Sequence, residues 1–104
     1  MIYVTQKQRE FTETGIPGIR QCAVWEENGE GAYYAEFKAG AEFPLHDHEG
    51  VEQGFIISGR ILSNDIEMTA GDFVKLGAGE AHTVHAVEDT LVLFAHRGGV
   101  VIKG

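Results

Sequence analysis

The chain is poor in several features that commonly declare a function. Its 104 residues include one cysteine, two prolines and one tryptophan. The lone Cys22 has no partner for an internal disulfide, which fits a reducing compartment, and it sits in an apolar run that reads as core. Basic residues are scarce: 8 Lys and Arg stand against 16 Asp and Glu, giving a formal charge of −8 with histidines neutral. No basic stripe occurs, which argues against nucleic acid and anionic membrane surfaces as partners. No apolar run is long enough to span a bilayer, and the opening MIYVTQKQREF lacks the apolar centre of a secretory signal. A soluble cytoplasmic protein is therefore expected. Several catalytic signatures are missing as well. There is no G-x-S-x-G, no glycine-rich phosphate loop leading into a helix, and no histidine near Cys22 in sequence. The acidic stretch 26–30 lacks calcium-loop spacing and reads as a solvated hairpin tip.

Glycine and histidine, by contrast, are plentiful, at 14 and 5 residues. The glycines are scattered and mark many tight turns. Short strand-like segments lie between them, at 19–25, 32–38, 43–48, 52–57, 60–63, 66–68, 73–76, 82–87, 91–96 and 100–102. Asn28-Gly29 and Asn64-Asp65 read as hairpin tips. No segment carries a capped helical period of ten or more residues. The pattern predicts an all-β sandwich or barrel forming one domain over 1–104, with 1–14 as an N-terminal arm. Residues 2–4 of that arm read as a short strand, free to pair with a sheet edge or with a partner.

Chemistry concentrates between Gly40 and Gly59. His46 and His48 are one residue apart, so an extended strand turns both to one face and Asp47 to the other. Glu52 follows. Two imidazoles and a carboxylate on one face suit a divalent transition metal. His82, closing the stretch from Gly71, is placed as the fourth ligand. Gln53 could compete with Glu52 but has the opposite strand parity. His85 falls on the other face from His82, and His96, at a strand end, reads as solvent-facing. Trp25, Phe43 and Phe94 read as core. Tyr33, Ala35 and Phe37 share one face of their strand, and Tyr34 and Glu36 the other. Tyr34 and Glu36 are candidates for the barrel mouth and for a general base. With Glu52, Gly54 and Ile56 turned inward, Phe55 and Ile57 must face outward. A homodimer is expected to cover them.

These residues resemble the cupin superfamily. Its first motif, G-x5-H-x-H-x3,4-E-x6-G, is met by Gly40, His46, His48, Glu52 and Gly59. Its second, G-x5-P-x-G-x2-H-x3-N, is met by Gly71, Gly79 and His82, with Gly77 in place of the proline and Ala86 in place of the asparagine. Losing that proline is expected to loosen the turn before His82. The resemblance covers about residues 32–95. It implies a double-stranded β-helix, or jelly-roll barrel, holding one divalent transition metal (Fe, Mn, Ni or Zn) on three histidines and a glutamate. It further implies a small-molecule ligand and, in many members, an enzyme of dioxygenase, isomerase or lyase type. The His46-x-His48-x-Gly50-x-Glu52 spacing is also similar to the cupin-like domain of certain anti-sigma factors, which implies the alternative of a non-catalytic sensor.

Overall fold

The computed structural model describes residues 1–102. Eleven strands follow in order: β1 (Thr12–Glu13), β2 (Ile19–Glu27), β3 (Glu30–Phe37), β4 (Glu42–His48), β5 (Glu52–Ser58), β6 (Arg60–Ser63), β7 (Ile66–Thr69), β8 (Phe73–Leu76), β9 (His82–Ala86), β10 (Thr90–Arg97) and β11 (Val100–Ile102). One sheet has the order β1-β2-β3-β10-β5-β8 and the other β11-β4-β9-β6-β7. Every pairing is antiparallel. This is the jelly-roll arrangement that the cupin resemblance implies, within the all-β class that the strand spacing predicts. The helical content among the described residues is a single 3₁₀ turn, Gln6–Gln8. None of their helices is long and apolar enough to cross a membrane.

Turn chemistry sets the register. Asn28 and Gly29 both have positive φ, as do Asn64 and Asp65. Two-residue tips with both centres left-handed match the twist of the flanking strands, so β2–β3 and β6–β7 close as tight hairpins. At Gly59 the chain passes from β5 in one sheet to β6 in the other. Its φ is +91°, and a Cβ there would overlap the Asp89 carbonyl and the Thr90 hydroxyl, so only glycine fits.

The inward residues of both sheets meet in one core that includes Ile19, Phe37, Ile56, Ile61, Val84 and Val92. Fully burying each such side chain contributes roughly 1.5–3 kcal/mol. Cys22 is buried and unpaired. The parity reading of β5 holds: Glu52, Gly54 and Ile56 are buried, while Phe55 and Ile57 are 44% and 37% exposed.

Residues 2–4 are a correction. They form no strand, and Ile2 and Tyr3 are exposed. Among the described residues no strand pairs with them, and a strand without a partner gains nothing from being extended. The arm attaches further on instead, where Thr12 and Glu13 pair with Gln21 and Arg20 of β2.

Candidate metal centre

The two sheets supply opposite sides of the site. His46 and His48 come from β4 and His82 from β9, neighbours in one sheet, while Glu52 comes from β5 in the other. His46 and His82 are direct cross-strand partners, with ring centroids 4.2 Å apart. One nitrogen from each of the three buried histidines lies within 4.8 Å of the other two. Glu52, 2% exposed, brings Oε2 against His48 Nε2.

Hydrogen bonding fixes which atoms face the centre. His46 Nδ1–H donates to the Pro44 carbonyl at 2.8 Å, which leaves Nε2 as the lone-pair nitrogen. His82 Nδ1 meets the Ser63 hydroxyl at 3.0 Å, which leaves Nε2 as the ring nitrogen without a partner. Four buried side-chain atoms then have no hydrogen-bond partner: His48 Nδ1 and Nε2, Glu52 Oε2 and His82 Nε2. The close approach of His48 Nε2 to Glu52 Oε2 does not remedy this, because the pair lacks hydrogen-bond geometry. Orphaned buried donors and acceptors are costly and rare. A cluster of them, all nitrogen or carboxylate oxygen, beside three buried histidines whose nitrogens lie close enough to share one ion, fits a divalent cation of the zinc or iron kind.

Electrostatics agrees with that fit. Burial pushes the Glu52 carboxyl up to about 8. Burial lowers His82 to about 4, with His46 and His48 adding to the effect. His46 and His48 are also lowered, chiefly by burial. The histidines are thus held neutral, the form that ligates metals, and Glu52 holds its proton at neutral pH until a nearby positive charge stabilises the carboxylate.

The turn leading into His82 is held without the proline. The Glu80 carboxylate accepts from Gly77 N–H at 3.0 Å, and the Glu80 N–H donates to the Gly77 carbonyl. Proline has no N–H to offer the first of these bonds. Gly79 N–H donates to the His48 carbonyl at 3.0 Å, tying the turn to the strand of the first two histidines.

A cavity of about 460 Å³ opens onto His46, Glu52 and His82. Tyr34 and Glu36 take no part in it. They occupy the other face of β3, where Arg9 donates to the Tyr34 hydroxyl and stacks on its ring, and Arg20 pairs with Glu36. The inward face of β3 is the one that carries Ala35 and Phe37, and its neighbour on that face is Tyr33. Tyr33 lines the cavity, and burial, with the Glu52 carboxylate second, raises its phenol well above the usual range.

His96 also differs from expectation. It lines the cavity beside Tyr33, with ring centroids 5.7 Å apart, and its Nδ1–H donates to the Gly98 carbonyl. Alternation from Val92 and Phe94, both buried, is the signal that places it inward. Trp25, Phe43 and Phe94 all line the cavity, but only Phe94 belongs to the core, with Phe43 packed against it and resting on the His46 ring, while half-buried Trp25 lies outside the core, contrary to expectation. His85 points away from the site and meets Glu42 at 3.0 Å. Gln53 is exposed, on the opposite face from Glu52.

The profile of a family described as the ChrR cupin-like domain matches residues 1–101. No curated protein matches the chain. Among solved structures, an RmlC-like cupin from Shewanella frigidimarina superposes with a TM-score of 0.83 at 18% identity, covering 93% of this chain and 90% of the other. An acetylacetone dioxygenase from Acinetobacter johnsonii gives 0.81 at 13% identity, covering 96% and 74%. The Rhodobacter sphaeroides complex of SigE with the anti-sigma ChrR gives 0.77 at 22% identity, covering 88% of this chain and 50% of the matched one. At these identities the structural likenesses establish the cupin fold and nothing finer.

Proposed function

From the premise that this chain belongs to the family of ChrR cupin-like domains, we propose that it is a metal-dependent enzyme acting on a small oxygenated organic molecule. His46, His48, Glu52 and His82 would hold one divalent transition metal, Fe, Mn, Ni or Zn. The observation that carries this reading is the opening of the cluster onto a cavity: His46, Glu52 and His82 all line it. A metal there would supply Lewis-acid polarisation of a substrate oxygen, or with iron the activation of dioxygen. The protein's part is to orient and to exclude water. Phe43 fixes the His46 ring, Ser63 fixes His82, and Tyr33 and His96 offer polar groups beside the cluster. The reaction class is dioxygenase, isomerase or lyase. Buried, unpaired Cys22 fits the cytoplasm.

The test is to load the metal-free chain with each of the four metals and assay diketones, hydroxy acids and sugar derivatives for oxygen uptake or product. At least one metal should support turnover that His48→Ala abolishes. No metal-dependent reaction in that panel would favour the second reading, a small-molecule or metal sensor. The family match itself favours that alternative, since it is named for ChrR, and a solved neighbour is an anti-sigma complex.

We further infer a homodimer. Phe55 of β5 and Phe73 of β8 are direct cross-strand partners on the outer face, 44% and 61% exposed, with Ile57 beside them. Covering the exposed parts of Phe55 and Ile57 alone would contribute roughly 1–2.5 kcal/mol of transfer free energy per subunit before association costs. The apolar residues 2–4 would extend that interface. Sedimentation should show a dimer at micromolar concentration, and Phe55→Glu should give monomers or insoluble protein. A monomeric unmodified chain would refute the inference.

A further inference from the structure

The cavity wall is chemically one-sided. One end carries His46, Glu52 and His82. The other is built by β2, whose Gln21, Ala23 and Trp25 line it. In the six-stranded sheet β2 is three strands from β5, which sets its residues roughly 14 Å from Glu52 across the sheet. Between the two ends the wall is largely apolar, with Ala35, Phe37, Phe43, Val84 and Phe94, and Tyr33 and His96 are the polar side chains there.

Among the described residues no lysine or arginine lines this space. The arginines are engaged elsewhere: Arg20 with Glu36, Arg60 with Glu67 and Glu88, Arg97 with Glu30, and Arg9 on the Tyr34 ring. The charged side chain at the β2 end is Glu26, in a chain of formal charge −8. The β2 end is open to solvent, with Gln21, Ala23 and Glu26 exposed, and an anionic group placed there would meet no lysine or arginine among the described residues and would face the Glu26 carboxylate. An apolar group would cover wall that water now touches.

Resting on the reading of a metal at the histidine end, we propose that the ligand has one oxygen-bearing head, directed at His46, Glu52 and His82, and an uncharged, largely apolar body reaching toward β2. The cavity selects against molecules with a second anionic group, such as sugar phosphates, nucleotide sugars and dicarboxylates. A small apolar carboxylate, ketone or enol is the class that fits.

Trp25, the chain's only tryptophan, lies at the discriminating end, so its emission reports occupancy. The zinc-loaded chain is titrated with monomethyl terephthalate and with terephthalate. The two probes are alike in length and differ by one negative charge at the far end. The monomethyl ester should change Trp25 emission and bind at least about fivefold more tightly than the diacid. Ala23→Arg, at an exposed cavity-lining position, should abolish or invert that preference. Equal or tighter binding of terephthalate to the unmodified chain overturns the proposal. So does an unchanged preference in the variant, or no binding of either probe at millimolar concentration. Turnover plays no part, so discrimination by a protein that turns nothing over would remove the catalytic reading and leave this one standing. If zinc is not taken up, the metal reading fails, and the same titration of the metal-free chain still decides whether the β2 end rejects the second charge.

Discussion

His48→Ala should reduce bound metal from about one ion per chain to a trace while the barrel still folds. His48 is the ligand candidate with both ring nitrogens buried and unpartnered. Its removal leaves His46, His82 and Glu52 without a complete set. Losing a residue that merely orients a metal ligand typically costs 10–100-fold in affinity, roughly what Ser63→Ala should cost by freeing His82 Nδ1. Removing a ligand should exceed that, so the affinity of His48→Ala should fall by more than about 100-fold. Metal analysis of protein purified without a chelator, with competition titrations for the two variants, measures both effects. Circular dichroism separates lost metal from lost fold. Retention of metal by His48→Ala at unmodified affinity would contradict the account.

The metal-free protein should lose stability as pH rises from 6.5 to 8. Glu52 has a folded-state value of about 8, above its ordinary 4.5. Between those values the folded chain binds more protons than the unfolded one, so stability is greatest below 4.5 and is lost as pH climbs toward 8. The histidines act in the opposite sense. His82 is lowered from 6.5 to about 4, so its contribution grows from pH 4 and levels off only above about 7.5. Between pH 6.5 and 8 Glu52 loses roughly 1.7 kcal/mol, and the three lowered histidines return roughly 1 of it, so the net loss is about 0.5 kcal/mol. For a domain of this size that lowers Tm by roughly 3 °C. Glu52→Gln cannot ionise and should flatten the decline. Bound metal should abolish it too, because the cation takes the place of the proton on Glu52 and adds binding free energy to the folded state. Thermal melts of the metal-free, zinc-loaded and Glu52→Gln proteins across that range give the comparison. A metal-free Tm that is flat or rising between pH 6.5 and 8 would refute it.

Sequence spacing made the histidine cluster readable because strand geometry converts it directly into direction. His46-x-His48 must share a face, and a buried face is where unpartnered imidazoles converge. The same parity put Phe55 and Ile57 outside, and the hairpin tips at Asn28 and Asn64 were readable because few residue pairs tolerate two left-handed centres. Tyr34 and Glu36 were harder. Both faces of β3 carry an aromatic, and what decides is tertiary: Arg20 and Arg9 wait on the outer side of the sheet. His96 was misread from its position at a strand end, although alternation with Val92 and Phe94 pointed inward. The arm depended on pairing. Residues 2–4 have strand-forming side chains but pair with no edge among the described residues, while Thr12 and Glu13 have β2.

X-ray absorption of the zinc-loaded protein tests the central claim most directly, because it counts the atoms around the metal and identifies their type. The account predicts three imidazole nitrogens and one carboxylate oxygen at about 2.0–2.1 Å, with no sulfur shell. His82→Ala should remove one imidazole. A sulfur scatterer near 2.3 Å, which would implicate Cys22, or fewer than three imidazoles in the unmodified chain, would contradict it.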